Sequence, residues 1–378
     1  MVGMENALKE NWLVIRSLLP EGWEERARAC GAVERMRGFA SPEALLRTLL
    51  LHVARGYSLR ETIVQAKAAG LAEVSDVALL KRLRKAETWL RELCLSLLQE
   101  NRVSVGAREA GRVLRLVDAT VVKEPGPTGS LWRLHYSLQI PGLGCDFFAL
   151  TPTVGAGVGE SFRRFPVAAG DYILGDAGYC TPAGMEHLSL QGAYGLVRWN
   201  SGSLPLQSRR GAHWDALSRL GSLSEVGRVG EWPVWISGPR RRMEGRLCAL
   251  RKSEQSILQA HRRLRHRAHK TGKRLQPATL EYAQYVVVFT TFPRQAFTAA
   301  EILQCYRVRW QIELVFKRLK SLVQLGHLPK YDESSSRAWL YGKMLVALLT
   351  QELVRVGRAI SPWGYLLAEA ESERMAGV

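Results

Sequence analysis

Apolar residues recur at helical spacing through about the first hundred positions and at strand spacing beyond them. Residues 1–40 read as helical without clear ends. From Ser41 the signals sharpen: Ser41-Pro42 supplies an N-cap and a proline at the first helical position, and Leu45, Leu46, Leu49 and Leu50 form an apolar stripe. Ser58 and Glu61 have the spacing of a capping box before a second helix ending near Gly70. Ser75-Asp76 opens a third, DVALLKRLRKAETWLRELCLSLL, with Lys81, Arg82, Arg84 and Lys85 in its first half. Helix, short Gly-containing turn and basic helix is the order of a helix-turn-helix DNA reader, and equally of three packed helices that touch no DNA.

After Gly106 the period changes. Arg112–Lys123 (RVLRLVDATVVK), Leu131–Ile140 and Asp146–Val154 read as a three-stranded meander, with turns at Pro125–Gly129 and at PGLG. Tyr172–Cys180 (YILGDAGYC) is a short strand ending in a turn, Thr181-Pro182 starts a helix to about Gln191, and Tyr194–Asn200 is a further strand. Strands that first run antiparallel and then alternate with helices predict an α/β sheet covered by helices.

Between Ser201 and about Tyr282 this order is interrupted. Short strands near Gly230–Ser237 and Leu247–Arg251 overlap a basic tract, Gly238 to Arg274, with 13 Lys or Arg against two acids, Glu244 and Glu254. A solvated charge run and a backbone-phosphate contact both fit it; its density inside a folded chain favours the phosphate contact. Tyr285–Thr291 resumes the sheet, Thr298 caps the next helix, and Ala338–Arg358 is an apolar helix suited to packing on the body or on another subunit.

The stretch Tyr306–Lys320, YRVRWQIELVFKRLK, is amphipathic. At 100° per residue Tyr306, Arg309, Glu313, Lys317 and Lys320 share an arc of about 80°, with Val308, Ile312, Val315 and Leu319 opposite. A solvated face with i,i+4 pairs such as Glu313 with Lys317 produces this pattern, and so does a carboxylate set among phosphate-binding side chains.

Composition bears on the choice. The 378 residues carry 53 Lys or Arg and 35 Asp or Glu, a formal charge of +18, which points to a polyanionic partner, most commonly nucleic acid. No apolar run of about 18 residues offers a membrane anchor and the N-terminus has no signal-peptide pattern, so a cytoplasmic protein is expected. The six cysteines (Cys30, Cys94, Cys145, Cys180, Cys248, Cys305) are scattered, with no CxxC and no His pair at zinc spacing, which argues against thiol or zinc chemistry.

Metal-assisted cleavage of a phosphodiester requires two or three carboxylates on rigid elements, converging on ions about 3.5–4 Å apart. Asp118 lies amid apolar residues inside a strand, where aspartate is disfavoured unless it has a partner. Asp176 sits in GDAGY, where strand meets turn, the place where α/β active sites gather and also an ordinary place for a turn-forming Asp. Glu313 comes from the helix. The three make a coherent set that could meet at one sheet edge.

These residues carry a resemblance. Tyr306-x2-Arg309-x3-Glu313-x6-Lys320 matches the Y-R-E-K signature of bacterial insertion-sequence transposases of the DDE group, the IS-four-like family. VDAT around Asp118 resembles its first acidic block and GDAGY its second. The 137 residues from Asp176 to Glu313 are similar to members with a β-rich insertion, and SLRET…SDVALLKRLRK is typical of the N-terminal region. The resemblance implies an α/β, RNase H-like core with a β-rich basic insertion, preceded by an all-helical DNA-binding domain. The division expected is 1–105 (helical, DNA-binding), 106–200 (core, first part), 201–284 (insertion), 285–330 (core, second part) and 331–378 (helical, possible dimerisation).

It also implies that Asp118, Asp176 and Glu313 hold two Mg²⁺, for which Mn²⁺ may substitute, and that Tyr306, Arg309 and Lys320 contact phosphates beside the cleavage point. Tyr285 takes the position of the ring that receives an unstacked base, and Arg198 and Trp199 that of residues gripping the transposon end; Lys317 has no assigned role. The second block departs from the family's Asp-Arg-Gly-Tyr at Ala177. The implied activity is cut-and-paste transposition. Ends are cleaved through a hairpin and joined to target DNA by a nucleoid-associated homodimer that bridges two terminal inverted repeats of double-stranded DNA. An RNase H-like nuclease without strand transfer and an inactive DNA-binding relative are the alternatives.

Overall fold

The computed structural model describes residues 12–106, 113–123, 131–155, 159–272, 274–326, 328–329 and 332–359. The turn expected at Pro125–Gly129 and the segment beyond residue 359 lie outside them. Among the described residues eight strands make one sheet: β1 (Leu114–Lys123), β2 (Leu131–Ile140), β3 (Cys145–Pro152), β4 (Tyr172–Gly175), β5 (Tyr194–Arg198), β6 (Val229–Ser237), β7 (Arg242–Arg251) and β8 (Tyr285–Thr290). Their order is β3-β2-β1-β4-β5-β8-β7-β6. The first three form the antiparallel meander, and β4 and β5 continue it in parallel beside β1. A mixed α/β sheet of this order fits the RNase H-like core.

The structure departs from the expected architecture at the insertion. Its strands β6 and β7 build no sheet of their own. β7 pairs with β8, so the core sheet runs on through them to its far edge. The hairpin between them is tied down by Glu186, which accepts from the backbone N–H groups of Arg240 (2.7 Å) and Arg241 (2.9 Å), while the Arg241 guanidinium donates to Ser189 (2.7 Å).

Two apolar cores cover the two faces, as the alternation of strand side chains requires. On β1, Leu116 and Val122 face one core and Val117 the other. The first core continues without a break into the N-terminal helices Pro42–Arg55, Asp76–Lys85 and Glu87–Gly106, and into Glu333–Ala359, which lies against them. The single helix expected from Asp76 is therefore two: at Ala86 a 3₁₀-like turn, with its N–H reaching both Arg82 and Leu83 oxygens, redirects the chain. Trp89 can then stack on Trp23 at 6.3 Å between centroids. The cations of the Asp76–Lys85 helix are largely engaged within the protein. Lys85 pairs with Glu34 (2.8 Å), Arg84 with Asp332 (3.0 Å), and Arg82 donates to the Arg35 carbonyl.

The amphipathic stretch from Tyr306 is also not one helix. Ala299–Arg307 and Trp310–Ser321 are separate, joined at Val308-Arg309 by i→i−3 bonds from Val308, Arg309, Gln311 and Ile312. Tightening to 3₁₀ geometry inside a helical run is a common mark of a functional hinge. Ile312, Phe316 and Leu319 bury one side of the second helix over the sheet, beside β1.

Candidate active site

The sheet brings the first two acids together. β1 and β4 run parallel with Leu114 beside Tyr172 and Leu116 beside Leu174. Carrying that register on by two residues sets Asp118 beside Asp176, on strands about 4.8 Å apart. Asp118 points to the same face as Leu116 and Thr120, the face that the Trp310–Ser321 helix covers. Asp176 leaves β4 as the cap of a short 3₁₀ turn, its Oδ1 accepting the N–H of Gly178 at 2.7 Å. Asp118 accepts its neighbour Ala119's N–H at 2.7 Å.

Their electrostatics are those of crowded carboxylates. The Asp118 carboxyl is pushed up to about 7, chiefly by burial, with the charges of Asp176 and Glu160 adding and the Ala119 N–H and Arg309 opposing. The fold thus makes ionised Asp118 costly. Below about pH 4, the ordinary carboxylate value, the group is protonated in folded and unfolded chains alike. Between there and about 7 the unfolded chain releases its proton more readily, so metal-free protein loses stability as pH rises through that window. Asp118→Asn removes the loss: in EDTA, its Tm advantage over wild type is expected to grow from pH 4 to 7 and then level off. A pH-independent difference would show that Asp118 is not under this strain.

Glu313 is on the covering helix, half-exposed, and its carboxylate is taken by Arg309 four residues earlier. Arg309 also lies over the Tyr306 ring, 5.9 Å from its centroid, and within the field of Asp118. It therefore stands electrostatically between the strand acids and the helix acid. Tyr306, with its hydroxyl pushed up to about 12 by burial, feels Arg309, Arg198 and Asp176. Lys320 and Lys317 line a shallow groove with Thr120, Glu313, Phe316 and Ser321. The fields of Asp118, Asp176, Tyr306, Arg309 and Arg198 thus overlap, while Glu313 and Lys320 line the groove beside Thr120.

Two predicted residues lie elsewhere. Trp199 donates its indole N–H to the Leu204 carbonyl (3.0 Å) and packs edge-on against Tyr282 in the second core. Tyr285 is buried at 5% exposure in that same core, so its ring is not open to a base in this structure. Its carbonyl instead accepts from Arg198 at 3.1 Å. A residue the sequence did not single out, Glu160, approaches both strand acids.

The donor set suits a hard divalent cation, which prefers carboxylate oxygens, and the mutual repulsion of Asp118, Asp176 and Glu160 is the kind that such an ion relieves. Among the described residues no three His, Cys, Asp or Glu side chains converge closely enough to hold a metal ion, and Glu313 is engaged by Arg309. To join the two strand acids, Glu313 would have to leave Arg309.

Strand acids, a helix acid and interposed cations are the kinds of group that metal-assisted phosphodiester cleavage uses. Residues 157–349 match the family model described as Transposase DDE domain. Over 93% of this chain and 95% of theirs, 33% of positions are identical to the transposase for insertion sequence element IS421 of Escherichia coli and to InsL of element IS186A from the K12 strain. The transposase for IS231C of Bacillus thuringiensis subsp. berliner is 22% identical over 88% of this chain and 77% of its own. The chain belongs to the DDE transposases of bacterial insertion sequences: it is an enzyme that cleaves and transfers DNA, and its family implies a divalent metal. No helix among the described residues is long and apolar enough to cross a membrane.

Proposed function

We propose that this chain carries out cut-and-paste transposition with Asp118, Asp176 and Glu313 as ligands of two Mg²⁺ ions. The observation that carries the reading is the β1–β4 register, which sets Asp118 beside Asp176 under the helix bearing Glu313. Bound there, the ions would supply charge neutralisation at the scissile phosphate and an acidified water. The protein's own part is to hold the carboxylates rigid and to place Tyr306, Arg309 and Lys320 on the phosphates beside the cut. First a water oxygen attacks phosphorus and the 3′ oxygen leaves with the bonding electrons. The freed 3′ hydroxyl then attacks the opposite strand, giving a hairpin, and after its opening attacks target DNA.

A run of cations leads from this point toward the insertion. Arg309 neighbours Arg198, and Arg198 and Arg263 both face Lys252, whose ammonium is lowered to about 8, chiefly by burial. Arg263 belongs to the Glu254–Thr271 helix, of which only Ile257 is buried. Its Arg262, Arg263, Arg265, Arg267 and Lys270 take part in no ion pair among the described residues. The run supports a path for the backbone of the transposon end, with the N-terminal helices as a further DNA contact and two subunits bridging two ends. Arg263→Ala and Arg265→Ala are expected to weaken end binding irrespective of neighbouring sequence and to reduce the slope of log K against log salt by about 1 each. An unchanged slope would move the path elsewhere.

Incubating the protein with Mg²⁺ and DNA bearing the element's ends tests the whole reading. Cleaved ends joined to target are expected. Cleavage without joining would favour a nuclease, and binding alone an inactive relative.

A further inference from the structure

The carboxylate of Glu160 is folded against the turn that carries Asp176. A β-carbon at Gly178 would lie 2.1 Å from Glu160 Oε2 and 3.1 Å from Asp176 Oδ1, so the two carboxylate oxygens are no more than about 5 Å apart. Glycine at 178 is what allows this approach, because any side chain there would displace Glu160. The charged groups facing Glu160 are Asp176 and Asp118, which repel it, and Arg133 of β2, which attracts it. A third group lies within the field of these acids. Tyr179 is fully buried, its hydroxyl has no hydrogen-bond partner among the described residues, and it lies in the field of Asp118, Glu160 and Asp176 together. A buried hydroxyl without a partner is unusual, since buried hydroxyls are nearly always paired.

We propose that Glu160 is a positioning residue of the cation site, acting with the Tyr179 hydroxyl on the water shell of the ion held by Asp118 and Asp176. The inference rests on the assignment of those two aspartates as ligands. Mg²⁺ surrenders water reluctantly and keeps several of its waters when protein-bound, so a carboxylate just beyond coordinating distance has a part to play. Groups in that outer position fix the ligands' orientation, and their loss commonly costs about 10–100-fold in metal affinity. The same lean of Glu160 against Gly178 also limits how far the Asp176 turn can swing.

The test is a Mn²⁺ titration of the full-length protein without DNA, followed by electron paramagnetic resonance, on wild type, Asp176→Asn, Glu160→Gln, Glu160→Asp and Gly178→Ala, with Tm recorded for each. Asp176→Asn is expected to abolish tight binding. Glu160→Gln, of equal size and without charge, is expected to weaken it about 10–100-fold at unchanged Tm. Glu160→Asp should recover part of the loss. Gly178→Ala keeps the carboxylate but pushes it off the turn, and should weaken binding in the same direction. Wild-type Mn²⁺ affinity in both Glu160→Gln and Gly178→Ala, with Asp176→Asn defective, overturns the role of Glu160. Wild-type affinity in Asp176→Asn would overturn the ligand assignment beneath it.

Discussion

Asp118→Asn, Asp176→Asn and Glu313→Gln are each expected to lower cleavage of transposon ends by a factor on the order of 10³ or more, with binding of those ends retained. Each substitution keeps the shape of the side chain and removes one negative oxygen from the proposed cation site. Asp118 and Asp176 are strand-borne neighbours, so removing either leaves a single fixed carboxylate. The two asparagine variants also relieve like-charge repulsion, and should be no less stable than wild type without metal. Glu313→Gln differs in a telling way. It releases Arg309, which in the DNA-free protein is bound to that carboxylate. Its effect on end binding is therefore expected to be neutral or favourable while cleavage collapses. A Glu313→Gln protein that cleaves normally would remove the helix acid from the site. Gel-resolved cleavage of end-labelled DNA, alongside a binding titration at fixed salt, separates the outcomes.

The largest expected loss of stability comes from a residue that never touches DNA. Arg115 of β1 is 4% exposed and joins three elements. Its Nε lies 2.7 Å from Asp146 of β3, and an N–H group reaches Asp171 (3.3 Å) and the Pro166 carbonyl (2.6 Å) ahead of β4. It is three residues before Asp118 and fastens β1 to the entry of the strand that delivers Asp176. Arg115→Met removes the cation and leaves Asp146 and Asp171 desolvated without it. Breaking a buried pair in this way costs about 3–5 kcal/mol, a fall in Tm on the order of 5–10 °C. Adding Asp146→Asn should restore part of it, since one uncompensated carboxylate is then gone. A loss below about 1 kcal/mol in denaturant titration would mean that the network is dispensable.

The sequence told most where a signal was local. The Ser41-Pro42 cap, the Ser58/Glu61 box and the Thr298 cap appear as read, with Ser58 and Thr298 each closing a reciprocal pair with the Glu three residues on. The meander strands lie within about two residues of expectation, because alternation survives wherever one face is buried. What it could not show was non-local pairing. Nothing in Tyr285–Thr291 says that β8 will lie between β5 and β7, and this is what turns an expected separate insertion into an extension of the core sheet. Helix breaks at Ala86 and Val308-Arg309 were hidden for a related reason: neither holds the Gly or Pro that would mark a stop in the sequence.

The site divides similarly. An aspartate in an apolar strand and one at a strand end were visible as anomalies, and their meeting follows from register. Glu160 was not, because it sits in a Gly-rich stretch, GAGVGE, with no periodicity to flag a half-buried carboxylate. Tyr285 and Trp199 were placed by resemblance; the Tyr285 ring is buried in the second core, and Trp199, partly buried, packs against that core. The matched family region begins at residue 157, so Asp118 stands on the structure's register and not on that match.

Asp118, Asp176 and Glu313 are expected to hold a pair of ions once DNA draws Arg309 away. Anomalous scattering from Mn²⁺ in crystals of the protein bound to its element's end tests it directly. Two peaks about 3.5–4 Å apart are expected, touching Asp118 and Asp176, with Glu313 turned onto one of them and Arg309 on a phosphate. Ions held by other residues, or Glu313 still paired with Arg309 while DNA and metal are bound, would contradict the account.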